Sequence, residues 1–222
     1  MKELIEIWDQ ELVEKHIGTE INYIKDFFKE KTKLSYIDIG ANVGKFYDVL
    51  SKIYEIDKVV MVEPAPKLSE YIIEKFKNIQ NCKIYDFAIS DETGETFFQT
   101  QSLDNSTHEH IDMGVSKIHN NHDGHRIKMV SGLDFLENYV GNVETYDFIK
   151  IDTENYDYQI IKSITPVISK LNKKPFILFE HNYHNSILKE EAIKILNDFT
   201  ENCGYESINF ETLNGDCHIK PL

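Results

Sequence analysis

Five apolar runs, at Ser35 to Asp38, Lys58 to Val62, Lys83 to Phe87, Tyr146 to Asp152 and Phe176 to Glu180, recur along the chain with segments of helical period between them. That alternation constrains the fold more than any other feature, because apolar strands joined by amphipathic helices bury themselves as a parallel sheet covered on both faces. Val43 to Tyr54, Leu68 to Phe76 and Tyr156 to Ser163 lack proline and space apolar residues three and four apart, so each is predicted as a helix. Residues 1–32 read as two helices ahead of the sheet. The tail "YESINFETLNGDCHIK" differs: two short alternating runs flank an Asn-Gly turn, which predicts a terminal hairpin and antiparallel strands at the end of a parallel sheet. No repeat and no linker rich in Pro, Gly or Ser divides the 222 residues, so one domain over 1–222 is expected.

Composition narrows the function classes. At 41% hydrophobic and 12% aromatic the chain can bury a substantial core. Its formal charge of −14 argues against nucleic acid as a partner, since surfaces that bind phosphate backbones collect Lys and Arg. The start "MKELIEIWDQELVEKHIG" scatters acids through its apolar residues, so neither a secretory segment nor a membrane span is drawn there, and a cytoplasmic location is expected. Cys82, Cys203 and Cys217 are odd in number and unpaired in spacing, which suits reduced thiols. The sequence sets no oligomeric state.

The stretch "YIDIGANVGKF" joins the first predicted strand to the next helix, at the carboxyl edge where open α/β sheets take ligands. Gly40 and Gly44 let the backbone turn tightly and approach a ligand, and Asn42 tolerates a left-handed conformation or donates a hydrogen bond. The spacing is neither the GxGxxG of dinucleotide sites nor a P-loop, which ends in Gly-Lys-Ser/Thr. Asp38, two residues before Gly40, fits a cation better than a pyrophosphate. The ligand inferred is S-adenosylmethionine, with its ammonium and sulfonium groups. Glu63, 23 positions after Gly40, ends the second strand, where a carboxylate can accept from both ribose hydroxyls. Asp86 near the end of the third strand can take the adenine amino group while Phe87 packs near the ring. Each acid taken singly can equally cap a helix or turn.

"DIGANVG", "VEPAPKLSEYI", "AISDETGETFF", "LDFLENY", "YDFIKIDTENYDYQIIKS" and "FILFEHN", in that order from Asp38 to Asn182, resemble the FkbM-type methyltransferases of the class I S-adenosylmethionine-dependent fold. The resemblance implies a Rossmann-like, seven-stranded, mostly parallel sheet with helices on both faces. It also implies S-adenosylmethionine as donor, S-adenosylhomocysteine as product, and O-methylation of a hydroxyl on a sugar, a glycan or a related natural product. One segment departs from the family. Where the family commonly has Val-Glu-Gly-Ala-Glu after Lys-Ile-Asp, this chain has Thr153, Glu154, Asn155, Tyr156 and Asp157. Asn155 can stand in for a glycine at positive φ, and Tyr156 adds bulk on the acceptor side.

A hydroxyl is a weak acid, so a base that removes its proton during attack is expected at the ends of strands four and five. Asp152 and Glu154 follow "FIKI", and Glu180 and His181 follow "FILF". Glu154 can instead cap the following helix, and His181 can be a loop residue bonded to backbone. Lys150 can be a sheet-edge or covered cation paired to one of these acids and is assigned no functional role. Between "TFFQTQ" and "IKMVSGLDFL" the chain carries His108, His110, His119, His122 and His125. No cysteine accompanies them and the segment is rich in Asn, Asp and Gly, so an acceptor-binding loop over 100–127 is expected. A divalent metal held there stays open as an alternative but is not predicted. A nicotinamide-dependent oxidoreductase and a non-catalytic nucleotide-binding module also share such a sheet; the missing GxGxxG counts against the first.

Overall fold

The structure is a computed structural model and describes residues 10–100, 116–119, 125–153, 156–181, 189–206 and 215–222. The elements in chain order are α1 (Gln10–Phe27), β1 (Lys33–Ile39), α2 (Lys45–Leu50), β2 (Glu55–Val62), α3 (Pro66–Phe76), β3 (Cys82–Tyr85), β4 (Ala88–Ser90), β5 (Gly94–Thr100), β6 (Ser116–His119) and β7 (His125–Ser131). A short α4 (Gly132–Asp134) then runs into a π-helical turn at Phe135–Val140, followed by β8 (Phe148–Ile151), α5 (Asp157–Ile168), β9 (Phe176–His181), α6 (Lys189–Cys203) and β10 (Gly215–Ile219).

Among the described residues the main sheet has six strands in the order β10-β9-β8-β1-β2-β3. All pairs are parallel except β10 with β9. The chain works outward from β1 to β3 on one side and from β8 to β10 on the other, so the order reverses between β1 and β8. A crevice opens at such a switch point, at the carboxyl ends of the strands.

Both faces of the central strands are covered, which is why they read as continuous apolar runs. Parallel register pairs Tyr36 with Phe148 and Asp38 with Lys150. In-register neighbours share a face, and the Tyr36 and Phe148 rings stack 4.8 Å apart. That face packs against Ile24 of α1, Phe46 of α2 and Ile72 of α3. The alternate residues Ile37, Ile39, Ile149 and Ile151 pack on the other face against Ile160, Ile161 and Ile164 of α5 and Phe199 of α6.

The strands fall where the apolar runs predict, and four details differ. The seventh strand implied by the family resemblance is absent among the described residues; the first run of the predicted hairpin lies largely in 207–214, outside them, while β10 supplies the antiparallel strand. The helix predicted from Val43 begins only at Lys45, because Asn42 (φ 49°) and Gly44 (φ 71°) are left-handed and no helix runs through them. It stops at Leu50, whose carbonyl takes both Ile53 N and Tyr54 N in a turn. Where two helices are expected at the amino end, Gln10–Phe27 is one unbroken helix, and residues 1–9 lie outside the described set.

The fourth difference concerns the loop expected over 100–127. Ser116–His119 and His125–Ser131 are strands, β6 and β7, in a second sheet of order β4-β7-β5-β6. Backbone pairing with β5 places His119 opposite Phe97 and His125 opposite Phe98. His108, His110 and His122 lie outside the described residues. Cys82, Cys203 and Cys217 form no disulfide among the described residues, and burial raises Cys82 and Cys203 to about 11, as expected of unreactive cysteines. Among the described residues no helix is long and apolar enough to cross a membrane.

Candidate active site

The loop after β1 is clamped to the end of β2. Gly40 N and Ala41 N both donate to the Val62 carbonyl at 2.9 Å, and Gly44 N donates to Ala41 O at 2.8 Å. Asn42 N donates to Glu63 Oε2 at 2.8 Å, and Ala65 N donates to Glu63 Oε1 at 2.9 Å. Glu63 thus ties two successive strand-end loops together. Each of its oxygens still has a lone pair for a further donor.

The glycines are required, but by the protein itself. Gly40 has φ 89°, and a Cβ there would collide with the backbone oxygen of Asp152; Gly44 has φ 71°, and a Cβ there would enter the Phe76 ring. The first loop therefore lies directly against the loop after β8. The close approach that the sequence suggests with a ligand is made here with Asp152 and Phe76.

Around that contact the charge is almost all negative. Asp38 is fully buried, and neither carboxylate oxygen has a hydrogen bond among the described residues. Its nearest cation among the described residues is Lys150, with Nζ 3.8 Å from Oδ1. Lys150 Nζ also lies 2.8 Å from Asp152 Oδ2 and 3.7 Å from Glu20 Oε1 of α1. Burial pushes Asp38 up to about 6, against the pull of Lys150, and pushes Glu63 up to about 7 in spite of its two backbone donors. A site that leaves carboxylates this poorly compensated favours a ligand bringing positive charge and N–H or O–H donors. These residues fit S-adenosylmethionine in that respect.

The ends of β8 and β9 are joined by Asp157, the first residue of α5. Its Oδ2 accepts from Thr153 Oγ1 at 2.9 Å and Thr153 N at 3.3 Å, and its Oδ1 accepts from Glu180 N at 3.3 Å. Burial, reinforced by the nearby charge of Asp152, pushes Asp157 up to about 7. His181 is buried at the end of β9, with Nδ1 hydrogen-bonded to the hydroxyl of buried Tyr158. Burial and the charge of Lys189 hold His181 below its ordinary value.

The structure brings Asp38, Gly40, Asn42, Gly44, Glu63 and Asp152 into one contiguous group. Asp152 has a side chain 41% exposed, so its carboxylate reaches solvent beside the buried acids. Asp86 is exposed just past β3. Phe87 beside it is buried, with its ring against Tyr85 (5.2 Å) and Tyr139 (5.0 Å). Glu154 lies outside the described residues. The sequence reading allowed Lys150 a pairing with a strand-end acid, which the structure makes with Asp152, but gave it no functional role, and it passed over Asp157 and Tyr158. A charged residue inside the apolar "FIKI" was a signal for Lys150; Asp157 is marked by its bonds to nearby Thr153 and distant Glu180, and Tyr158 by its contact with distant His181.

A model of the methyltransferase FkbM domain matches residues 38–207. No protein of curated function matches the chain. Among solved structures, an FkbM methyltransferase from Methylobacillus flagellatus KT superposes with a TM-score of 0.52 at 11% identity over 85% of this chain, which spans 44% of that protein's length. The N-methyltransferase NodS from Bradyrhizobium japonicum WM9 gives 0.52 at 10% identity, over 96% of this chain and 99% of the other. The methyltransferase domain of bacterial CtHen1-CN gives 0.51 at 13% identity, over 95% and 100%. At such identities these likenesses speak to the fold, and they agree with the sheet order above. The family model over residues 38–207 covers most of the chain, which therefore belongs to the methyltransferase FkbM domain family, a family of S-adenosylmethionine-dependent methyltransferases.

Proposed function

We propose that this domain methylates a hydroxyl oxygen of a sugar, a glycan or a related natural product, with the donor seated against Asp38, the 40–44 loop and Glu63, and the acceptor approaching over Asp152. The observation that carries this reading is the pairing of a fully buried Asp38, with no hydrogen bond at either oxygen among the described residues, and a half-exposed Asp152 on the same ammonium. One carboxylate faces inward to a cation; the other faces the side from which an acceptor arrives. S-adenosylmethionine, when bound, would supply an electrophilic methyl group for transfer to the acceptor oxygen and would leave as S-adenosylhomocysteine.

The chain's own part is to bind, orient and take a proton. Glu63 accepts from the ribose hydroxyls on the lone pairs that its backbone donors leave. Asp86 and the Phe87 edge of the aromatic cluster bound the adenine end. Asp152 holds the acceptor hydroxyl in line and accepts its proton as the new bond forms, and such positioning can supply much of the rate. His181, buried and engaged with Tyr158, shapes the wall beyond it.

A labelled-donor screen over saccharide, lipid-linked glycan and small-phenol acceptors tests the acceptor class. Label on a saccharide hydroxyl is the expected result. Label appearing only on phenols or on amines overturns it.

A further inference from the structure

No packing argument puts a lysine at position 150. It is the third residue of the four-residue β8, between Ile149 and Ile151, and it points into the face lined by Tyr36, Phe46 and Phe148. Burying an ammonium costs several kcal/mol unless partners surround it. Here they come from three elements: Asp152 from the end of β8, Asp38 from β1 and Glu20 from α1, with the Phe46 ring of α2 at 5.5 Å. Burial pulls Lys150 toward neutrality, but the three carboxylates outweigh it and hold the group well above the ordinary lysine value. It is therefore a fixed cation, unfit to shuttle a proton in neutral solution.

We propose that Lys150 is a positioning residue: its ammonium holds the donor-side carboxylate of Asp38 and the acceptor-side carboxylate of Asp152 in place and ties both to Glu20, so that the seating of α1 on the sheet sets the geometry of the site. This rests on the assignment of Asp38 and Asp152 made above. Glu20 is itself buried, on the same side of α1 as the core residues Ile21 and Ile24, so the helix docks with a carboxylate aimed into the site. Three acids share one ammonium. Behind them, Glu63 feels the charge of Asp38 and Asp152, and Asp157 feels that of Asp152 and Glu180. Lys150 draws Asp38 down directly, and Asp38 and Asp152 in turn bear on Glu63.

The test is calorimetric titration of the wild type, Lys150→Met, Lys150→Arg and Glu20→Gln with S-adenosylhomocysteine from about pH 5.5 to about pH 8.5, with thermal melts of the ligand-free proteins over the same range. Lys150→Met removes the shared counter-charge. Its affinity is expected to fall about tenfold near neutrality, and the pH at which affinity is half developed to rise by about one unit. Its ligand-free melting temperature should also decline more steeply with rising pH. Lys150→Arg, which keeps the charge, is expected to return the pH profile most of the way. Glu20→Gln leaves fewer acids on the same ammonium and should move the profile to lower pH, a readout that stands even if Lys150→Met does not fold. Weakening by one constant factor at every pH, with the Glu20→Gln profile unmoved, overturns the positioning role while leaving the donor site intact. A wild type that does not bind S-adenosylhomocysteine overturns the donor site first, and this inference with it.

Discussion

Both oxygens of Glu63 already hold a backbone N–H, so its removal acts in two ways: it takes an acceptor from the ribose and loosens Asn42 and Ala65. Glu63→Ala is expected to weaken S-adenosylmethionine binding by about 1–3 kcal/mol, the range for losing hydrogen bonds to a charged group. Calorimetry on the folded variant measures it, and unchanged affinity removes Glu63 from the site. Asp152 and His181 invite a direct comparison. Asp152 is 41% exposed at its side chain, whereas His181 is buried and hydrogen-bonded to Tyr158. Asp152→Asn keeps the shape and removes the charge, so kcat should fall by about a hundredfold, while donor affinity should change only by a shift of its pH profile to lower pH, as in Glu20→Gln. His181→Ala should lose less, and chelator should change neither. A larger loss in His181→Ala would make His181 the base, and loss on chelation would bring in a metal. Lysine shows how one residue can be legible yet only partly read: Lys150 is plain in "FIKI", but nothing local says that Glu20 and Asp38 meet there.

Among the elements, the loop after β1 and the second sheet respond differently to their surroundings. The loop is fixed by left-handed residues and by contact with Asp152 and Phe76, so its shape precedes any ligand. Of the histidines in that stretch, the second sheet holds His119 at the end of β6 and His125 at the start of β7. If this sheet edge recognises acceptor, replacing His119 and His122 together should raise the acceptor KM severalfold while donor affinity and folding hold. Steady-state kinetics beside donor titration separates the two. Stoichiometric zinc that disappears with the substitutions would instead mark a metal site. The 100–127 segment reads as a loop from its Asn, Asp and Gly content; the strands described within it pair with β5, and the pairing of β5 with β7 joins segments about thirty residues apart, invisible to local pattern.

Viewed as a whole, the sheet carries carboxylates of opposite tendency at its two ends. At the amino end Asp147, though burial works against it, is held below the ordinary carboxylate range by Lys31, the Ser35 N–H and Lys173. At the carboxyl end burial raises Asp38 to about 6 and Glu63 and Asp157 to about 7. A depressed carboxyl contributes stability above its unfolded pKa and loses it as pH falls through the folded one. A raised carboxyl contributes most below its unfolded pKa and loses it as pH rises through the folded one. The ligand-free protein should therefore be most stable near about pH 4, close to the unfolded carboxyl values, and lose several degrees of Tm by about pH 7. Bound donor, whose ammonium favours ionised Asp38, should reduce that loss, and its affinity should rise with pH between about 5.5 and 7.5. Differential scanning calorimetry with and without S-adenosylmethionine reads both, and a Tm that climbs steadily to pH 8 without ligand would contradict the assignment.

Periodicity and local chemistry were enough to determine the parallel α/β sheet, the placement of its strands and the loop at Gly40, because an apolar strand buried on both faces and a chain reversal at positive φ each leave a local mark. The motifs from Asp38 to Asn182 likewise carried the family. What the tertiary structure alone decided is how the charges meet. Asp38 and Lys150 are 112 positions apart and become neighbours only through the register of β1 with β8. Glu20 reaches the same ammonium only because α1 docks on that face. Whether an acid is exposed and ionised or buried and raised depends on what surrounds it in space, and a sequence records only what surrounds it along the chain.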